Sequence, residues 1–223
     1  MERTRSSLTR RAAAWLATAV LATAVAGAPG VARAETEVVG DESARLERGE
    51  TVVFDQVVDR AARHYVGGTT YTIIDASQPE LETLFADVRA YKQLLPHTKQ
   101  ARLIGMTGND FFVELRQGNS VVETSYTIRV RREEPKPGTV AYRFWLDRTK
   151  PHGIEDAWGY FRLEPLPDAS GGPRVLLTYG ILVDVGPGLV RDLFEERLRQ
   201  LALTVPQLVR QYALAHFRWG SPA

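Results

Sequence analysis

Four histidines, His64, His97, His152 and His216, carry most of the proton-transfer and metal-binding capacity of this 223-residue chain, and there is no cysteine. The histidines are scattered without the spacing of a ligand set, so no metal site is expected. His152 lies in a loop from Asp147 to Glu155, beside Asp147, Arg148, Glu155 and Asp156. An imidazole among carboxylates can take or give a proton near neutral pH. The same cluster also reads as an exposed charged loop. Tyr142 is the second candidate acid or base. No Gly-x-Ser-x-Gly elbow, phosphate loop or dinucleotide fingerprint occurs, and without cysteine there is neither thiolate chemistry nor a disulfide. Beyond His152 and Tyr142, the sequence offers no catalytic residue and calls for no cofactor.

Those residues sit in a chain that reads as mostly strands, followed by one long helix. From Pro187 to His216, residues such as Val190, Leu193, Phe194, Leu198, Leu201, Val205, Leu208, Val209 and Tyr212 recur at spacings of three and four, giving one apolar stripe. Pro206 predicts a kink in it.

Upstream, Thr51 to Val58 and Thr69 to Ile74 read as strands, the second from its β-branched and aromatic run. Ser77, Pro79 and Glu80 form a helix start. A second short helix is expected from Ala90 to Leu95, ended by Pro96. Period-two alternation then takes over at Phe111–Leu115, Tyr126–Val130, Thr139–Leu146, Asp156–Glu164 and Arg174–Val183. Gly108-Asn109, Gly118-Asn119 and the stretch Glu133 to Gly138 are the expected turns. The last strand is apolar on both faces, as expected for a central strand or a partner-binding surface.

Residues 1–34 read as a cleavable export signal. Arg3, Arg5, Arg10 and Arg11 precede an apolar run from Ala12 to Ala26, and Ala32-Arg33-Ala34 is the small-residue site, with cleavage before Glu35. A twin-arginine route and an uncleaved anchor are the alternatives. Removing this segment changes the 28 basic and 27 acidic residues to 23 and 26, a net charge of −3. A mildly acidic chain gives no support to nucleic-acid binding. Residues 35–50 read as a polar leader, 51–216 as one domain and 217–223 as a tail.

The order of elements resembles the START-like SRPBCC superfamily, an α+β helix-grip fold. The residues that carry the likeness are Ile74-Asp75-Ala76-Ser77-Gln78-Pro79-Glu80 with Leu84-Phe85-Ala86-Asp87-Val88 and Tyr91, then Leu94-Leu95-Pro96. Near the end they are Gly159-Tyr160-Phe161-Arg162-Leu163-Glu164-Pro165 and Val175-Leu176-Leu177-Thr178-Tyr179. These last strands are similar to those of polyketide-cyclase-like and coenzyme-Q-binding START members.

The resemblance implies a curved antiparallel sheet of about six to seven strands, two short helices after the first strand, and a long C-terminal helix closing over a cavity. It implies a lining of Phe111, Val113, Tyr126, Ile128, Tyr142, Phe144, Phe161, Tyr179, Leu193, Phe194, Leu201 and Leu208; the alternative is that the same residues pack as a solid core. It further implies a carrier for a lipid, quinone, isoprenoid or sterol, with transient membrane or delivery-protein contact. A cyclase- or hydrolase-type enzyme and a protein-interaction domain are the competing readings. Arg129, Arg131 and Arg132 are expected on a solvated outer face, with Trp145 and Trp158 also opposite the inward set.

Overall fold

The β-branched run in the first half of the chain builds the longest buried strand, and the sheet grows on both sides of it. The computed structural model describes residues 40–60, 62–118, 120, 123–167, 172–187, 196 and 199–217. Residues 1–39, with the stretch read as an export signal, Ala61, Asn119, residues 121–122, residues 168–171 of the Pro/Gly/Ser loop, residues 188–195 and 197–198 of the terminal stretch, and residues 218–223 lie outside them. Leu193 and Phe194 therefore have no described position.

Eight strands form one sheet: β1 (Val52–Arg60), β2 (Arg63–Ile74), β3 (Thr98–Thr107), β4 (Asp110–Gly118), β5 (Glu123–Lys136), β6 (Thr139–Leu146), β7 (Asp156–Leu166) and β8 (Arg174–Asp184). Their order is β1-β2-β8-β7-β6-β5-β4-β3, with every neighbouring pair antiparallel. The count exceeds the expected six to seven because Thr98–Thr107, whose exposed edge position leaves it without a clean apolar alternation, adds β3 beside β4. β8 lies between β2 and β7, which accounts for its two apolar faces.

Local chemistry sets the helices. α1 (Gly40–Glu47) falls in the stretch read as a polar leader. Its single apolar anchor, Leu46, packs with Val52, Tyr71 and Ile73 on the convex face, and Leu176 of β8 joins that cluster. One leucine among charged residues shows no periodicity, so the sequence pattern missed the helix. α2 (Gln78–Ala86) starts with a capping box: the Glu80 amide donates to Ser77 Oγ at 3.4 Å, and the Ser77 amide donates to the Glu80 carboxylate at 2.8 Å. A 3₁₀ turn (Val88–Ala90) is capped by Asp87, and α3 (Tyr91–Leu94) ends just before Pro96.

β5 runs on to Lys136, through part of the expected turn. Pro135, which has no amide hydrogen to donate, sits within the register irregularity between Glu133 and Lys136. In the terminal stretch, residues 199–203 are helical, Thr204 interrupts, and α4 (Val205–His216) continues with Pro206 in its first turn. Thr70 on β2 donates to the Leu203 carbonyl at 3.2 Å, and Arg199 pairs with Asp55 of β1. Val205, Val209 and Ala213 face the core.

Two glycines let β2 pass between its neighbours. Gly67 and Gly68 have φ of 156° and 149°, and a Cβ there would lie 2.0 Å from the Ile181 carbonyl oxygen and 2.1 Å from the Phe54 carbonyl oxygen. Both obstacles are backbone, which no side-chain rotation relieves. Gly68→Ala is therefore expected to destabilise the fold by at least about 2 kcal/mol, measured by chemical denaturation. Gly138→Ala, whose Cβ meets nothing within 4 Å despite φ of 77°, is expected to cost less.

Candidate functional site

The concave face is built from side chains that the antiparallel register sets side by side. Tyr142, Phe161 and Tyr179 form one row across β6, β7 and β8; Phe111, Val130, Phe144, Gly159 and Ile181 form the next. The rings of Phe161 and Tyr179 stack at 4.6 Å, and Phe144 lies 5.8 Å from Phe161. Gly159 makes room for this packing, since a Cβ there would come within 2.5 Å of the Phe144 ring. From above, Phe85 of α2 meets Phe161 at 4.6 Å and Tyr142 at 5.5 Å.

Eight of the expected lining residues share this apolar cluster. Val113, Ile128, Tyr142 and Tyr179 are buried within it; Phe111, Tyr126, Phe144 and Phe161 are half-buried against it. Leu201 and Leu208 are half-buried on the terminal stretch. Phe85 and Ile181 belong to the site as well. Phe85 lies on the apolar face of α2 and Ile181 shares the strand face of Tyr179, signals that could have placed both there.

The phenols in this interior are held neutral. Burial pushes the Tyr179 and Tyr126 hydroxyls well above the usual tyrosine range, and the neighbouring Tyr126 raises Tyr179 further. Tyr126 donates to the Gln117 side-chain oxygen, and Tyr91 donates to the Phe85 carbonyl at 2.8 Å. Tyr142 is pushed up to about 12, first by burial and then by Glu82, which pairs with Arg132 at 2.7 Å. A phenol so raised is a poor base at neutral pH, although it remains a hydrogen-bond donor.

His152 stands apart. It is exposed, and its Nδ1 donates to the Ile154 carbonyl at 2.7 Å. The acidic groups near it in sequence engage other partners. Asp147 accepts from Thr149, Asp156 accepts from Arg148 at 2.5 Å and from the Tyr65 hydroxyl at 2.7 Å, and the Glu155 backbone accepts from Arg63. The histidine–carboxylate arrangement open to the sequence is not assembled. Among the described residues no cluster of potential metal ligands occurs.

On the convex face, Arg129 and Arg131 share the buried carboxylate of Asp110, with contacts of 2.7 and 2.6 Å. The Arg129 guanidinium lies 5.3 Å from the Trp145 ring and 5.7 Å from Phe112. Arg132 was expected on this outer face. The strand alternation instead sends it to the side of α2 and Glu82. Trp145 and Trp158 are cross-strand partners on the outer side, lining a shallow cleft of about 620 Å³ with Phe112, Arg148 and Asp156.

Comparison with solved structures identifies the architecture. A STAR-related lipid transfer protein from Xanthomonas axonopodis superposes with a TM-score of 0.55 at 15% identity, covering 71% of this chain and 97% of its own. The ZhuI aromatase/cyclase from Streptomyces sp. R1128 gives 0.51 at 17% identity, with 72% and 100% covered. Human StAR-related lipid transfer protein 5 gives 0.50 at 9% identity, with 74% and 88% covered. No protein-family model and no curated protein matches the sequence. At these identities the likeness is one of fold: the chain has the START-like helix-grip fold.

The Asp110 geometry makes a pH-dependent prediction. Hydrogen bonds from Arg131 and Arg129 hold its carboxyl down to about 2, against an ordinary value of 3.8. Its stabilising contribution is full above the ordinary value and is lost as the pH falls toward about 2. Asp110→Asn is therefore expected to melt several degrees below the parent at neutral pH, with the gap closing over that acid range in thermal scans.

Proposed function

We propose that this protein is an exported carrier that holds one hydrophobic small molecule, such as a lipid, quinone, isoprenoid or sterol, between the concave sheet and the terminal helix. The observation that carries the reading is the composition of the concave face. It is an apolar floor with half-buried Phe111, Phe144, Phe161 and Ile181, and the phenols Tyr126, Tyr142 and Tyr179 among them. An apolar lining with a few polar groups is the usual composition of a small-molecule site. Each Å² of apolar ligand surface removed from water contributes about 25 cal/mol, so such a ligand needs no catalytic group to be held. Two of the solved structures with this fold are named as lipid transfer proteins. The arginine-rich, alanine-rich opening with its small-residue site supports export.

An enzyme reading rests on Tyr142, which lies on the concave face beside Arg132 and Glu82; one neighbour in fold is named an aromatase/cyclase. The raised Tyr142 and the outward His152 favour the carrier.

The test is to express the full chain, purify the exported protein, read its intact mass, and extract it with organic solvent for mass spectrometry. The expected result is a polypeptide beginning at Glu35 that carries a stoichiometric apolar molecule. Phe144→Trp and Ile181→Trp, which fill the same space, are expected to reduce its retention at least about tenfold. A reproducibly ligand-free wild type contradicts the carrier reading. Conversion of the extracted molecule by wild type but not by Tyr142→Phe establishes the enzyme instead.

A further inference from the structure

We propose that the corner formed by α3 and β3 docks on an anionic lipid surface. β3 is one edge of the sheet, and it exposes three large apolar side chains within four residues: Leu103 at 46%, Ile104 at 39% and Met106 at 69%. Leu103 pairs with Val113 and Met106 with Phe111, so both lie on the concave side, at the outer rim of the apolar floor. The register breaks between Leu103 and Gly105, which adds Ile104 to the same short segment.

Charge identifies the occupant. From Val88 to Asn109 there is no acidic residue, while Arg89, Lys92, Lys99 and Arg102 are basic, in a chain that otherwise carries a slight acidic excess after residue 34. α3 and the preceding 3₁₀ turn pack against β3, which sets Arg89 and Lys92 on elements adjoining the apolar segment, while Arg102 lies on the face of β3 opposite Leu103 and Met106. Arg89 and Lys92 have no carboxylate partner among the described residues. Lys99 pairs with Glu123 at 2.7 Å and Arg102 with Glu114 at 2.8 Å, both largely exposed. Ion pairs of that kind are weak and exchange readily for lipid phosphates. An exposed apolar edge on a segment that carries basic and no acidic residues suits an interface where acyl chains lie beneath anionic headgroups.

A second copy of the chain fits less well. The break at Leu103 to Gly105 interrupts the row of edge backbone groups that sheet pairing needs, and an antiparallel neighbour would set the cations of two copies near one another. The docking surface does not depend on what the interior holds: a protein with an empty interior would still bind vesicles.

The experiment is flotation of the mature protein with vesicles of phosphatidylcholine alone and of phosphatidylcholine mixed with phosphatidylglycerol, at low and high salt. The expected result is association with the anionic vesicles that falls as salt rises. Leu103→Ser with Met106→Ser, at positions already exposed, is expected to weaken it at least about tenfold, and Lys92→Glu to weaken it selectively on anionic vesicles. Equal partition of the wild type onto neutral and anionic vesicles overturns the proposal, as does unchanged binding by the serine double variant. Dimerisation in sedimentation that the double variant abolishes, without vesicle binding by the wild type, overturns it in favour of self-association.

Discussion

The packing of aromatic rings on the concave face is the interaction on which the rest of the structure depends. Phe161 and Tyr179 stack at the centre of the sheet, Phe144 fills the space that Gly159 leaves, and Phe85 closes over them from α2. Other features position that floor. The capping box at Ser77 and Glu80 fixes where α2 begins, and hence where Phe85 lands. Gly67 and Gly68 let β2 run close to β1 and β8. The Thr70 hydroxyl ties β2 to the terminal stretch at Leu203. α1 covers the back of the same strands through Leu46, so β8 is apolar on both sides without presenting a bare face to a partner.

The electrostatics divide the molecule between its two faces. Inside, burial keeps Tyr126, Tyr142 and Tyr179 neutral, and the charged pair nearest them, Arg132 with Glu82, sits at the rim. Outside, Arg129 and Arg131 converge on Asp110, with Trp145 and Phe112 against the Arg129 guanidinium. This is an interior suited to an uncharged, largely apolar guest. The raised phenols of the described residues are donors rather than bases at neutral pH, which fits the proposed holding of a guest.

Most of the fold was legible because period-two alternation and helix-start chemistry are local signals. Phe111, Val113, Tyr126, Ile128, Tyr142, Phe144, Phe161 and Tyr179 come together as their alternation implies. Three features were not legible, each for a physical reason. α1 is held by one leucine on a charged segment and shows no apolar period. Pro135 resembles a turn signal, yet it sits in a strand irregularity where its missing amide hydrogen is tolerated. The room that Gly159 leaves for the Phe144 ring becomes visible only once the register of β6 and β7 is known. The grouping of His152 with acidic residues was adjacency in sequence alone: its Nδ1 donates to the Ile154 carbonyl, and the Asp147 and Asp156 carboxylates have other partners.

The central claim is that the apolar floor faces a guest molecule. Paramagnetic NMR with methyl labelling tests it most directly, using a nitroxide-labelled stearate as the guest. The account predicts that methyl signals of Ile128, Val113 and Ile181 on the concave face broaden in a saturable manner, while those of Ile73 and Leu176, packed beneath α1 on the convex face, stay sharp. Saturable broadening confined to the convex methyls, or no broadening on the concave face at saturating stearate, would contradict it.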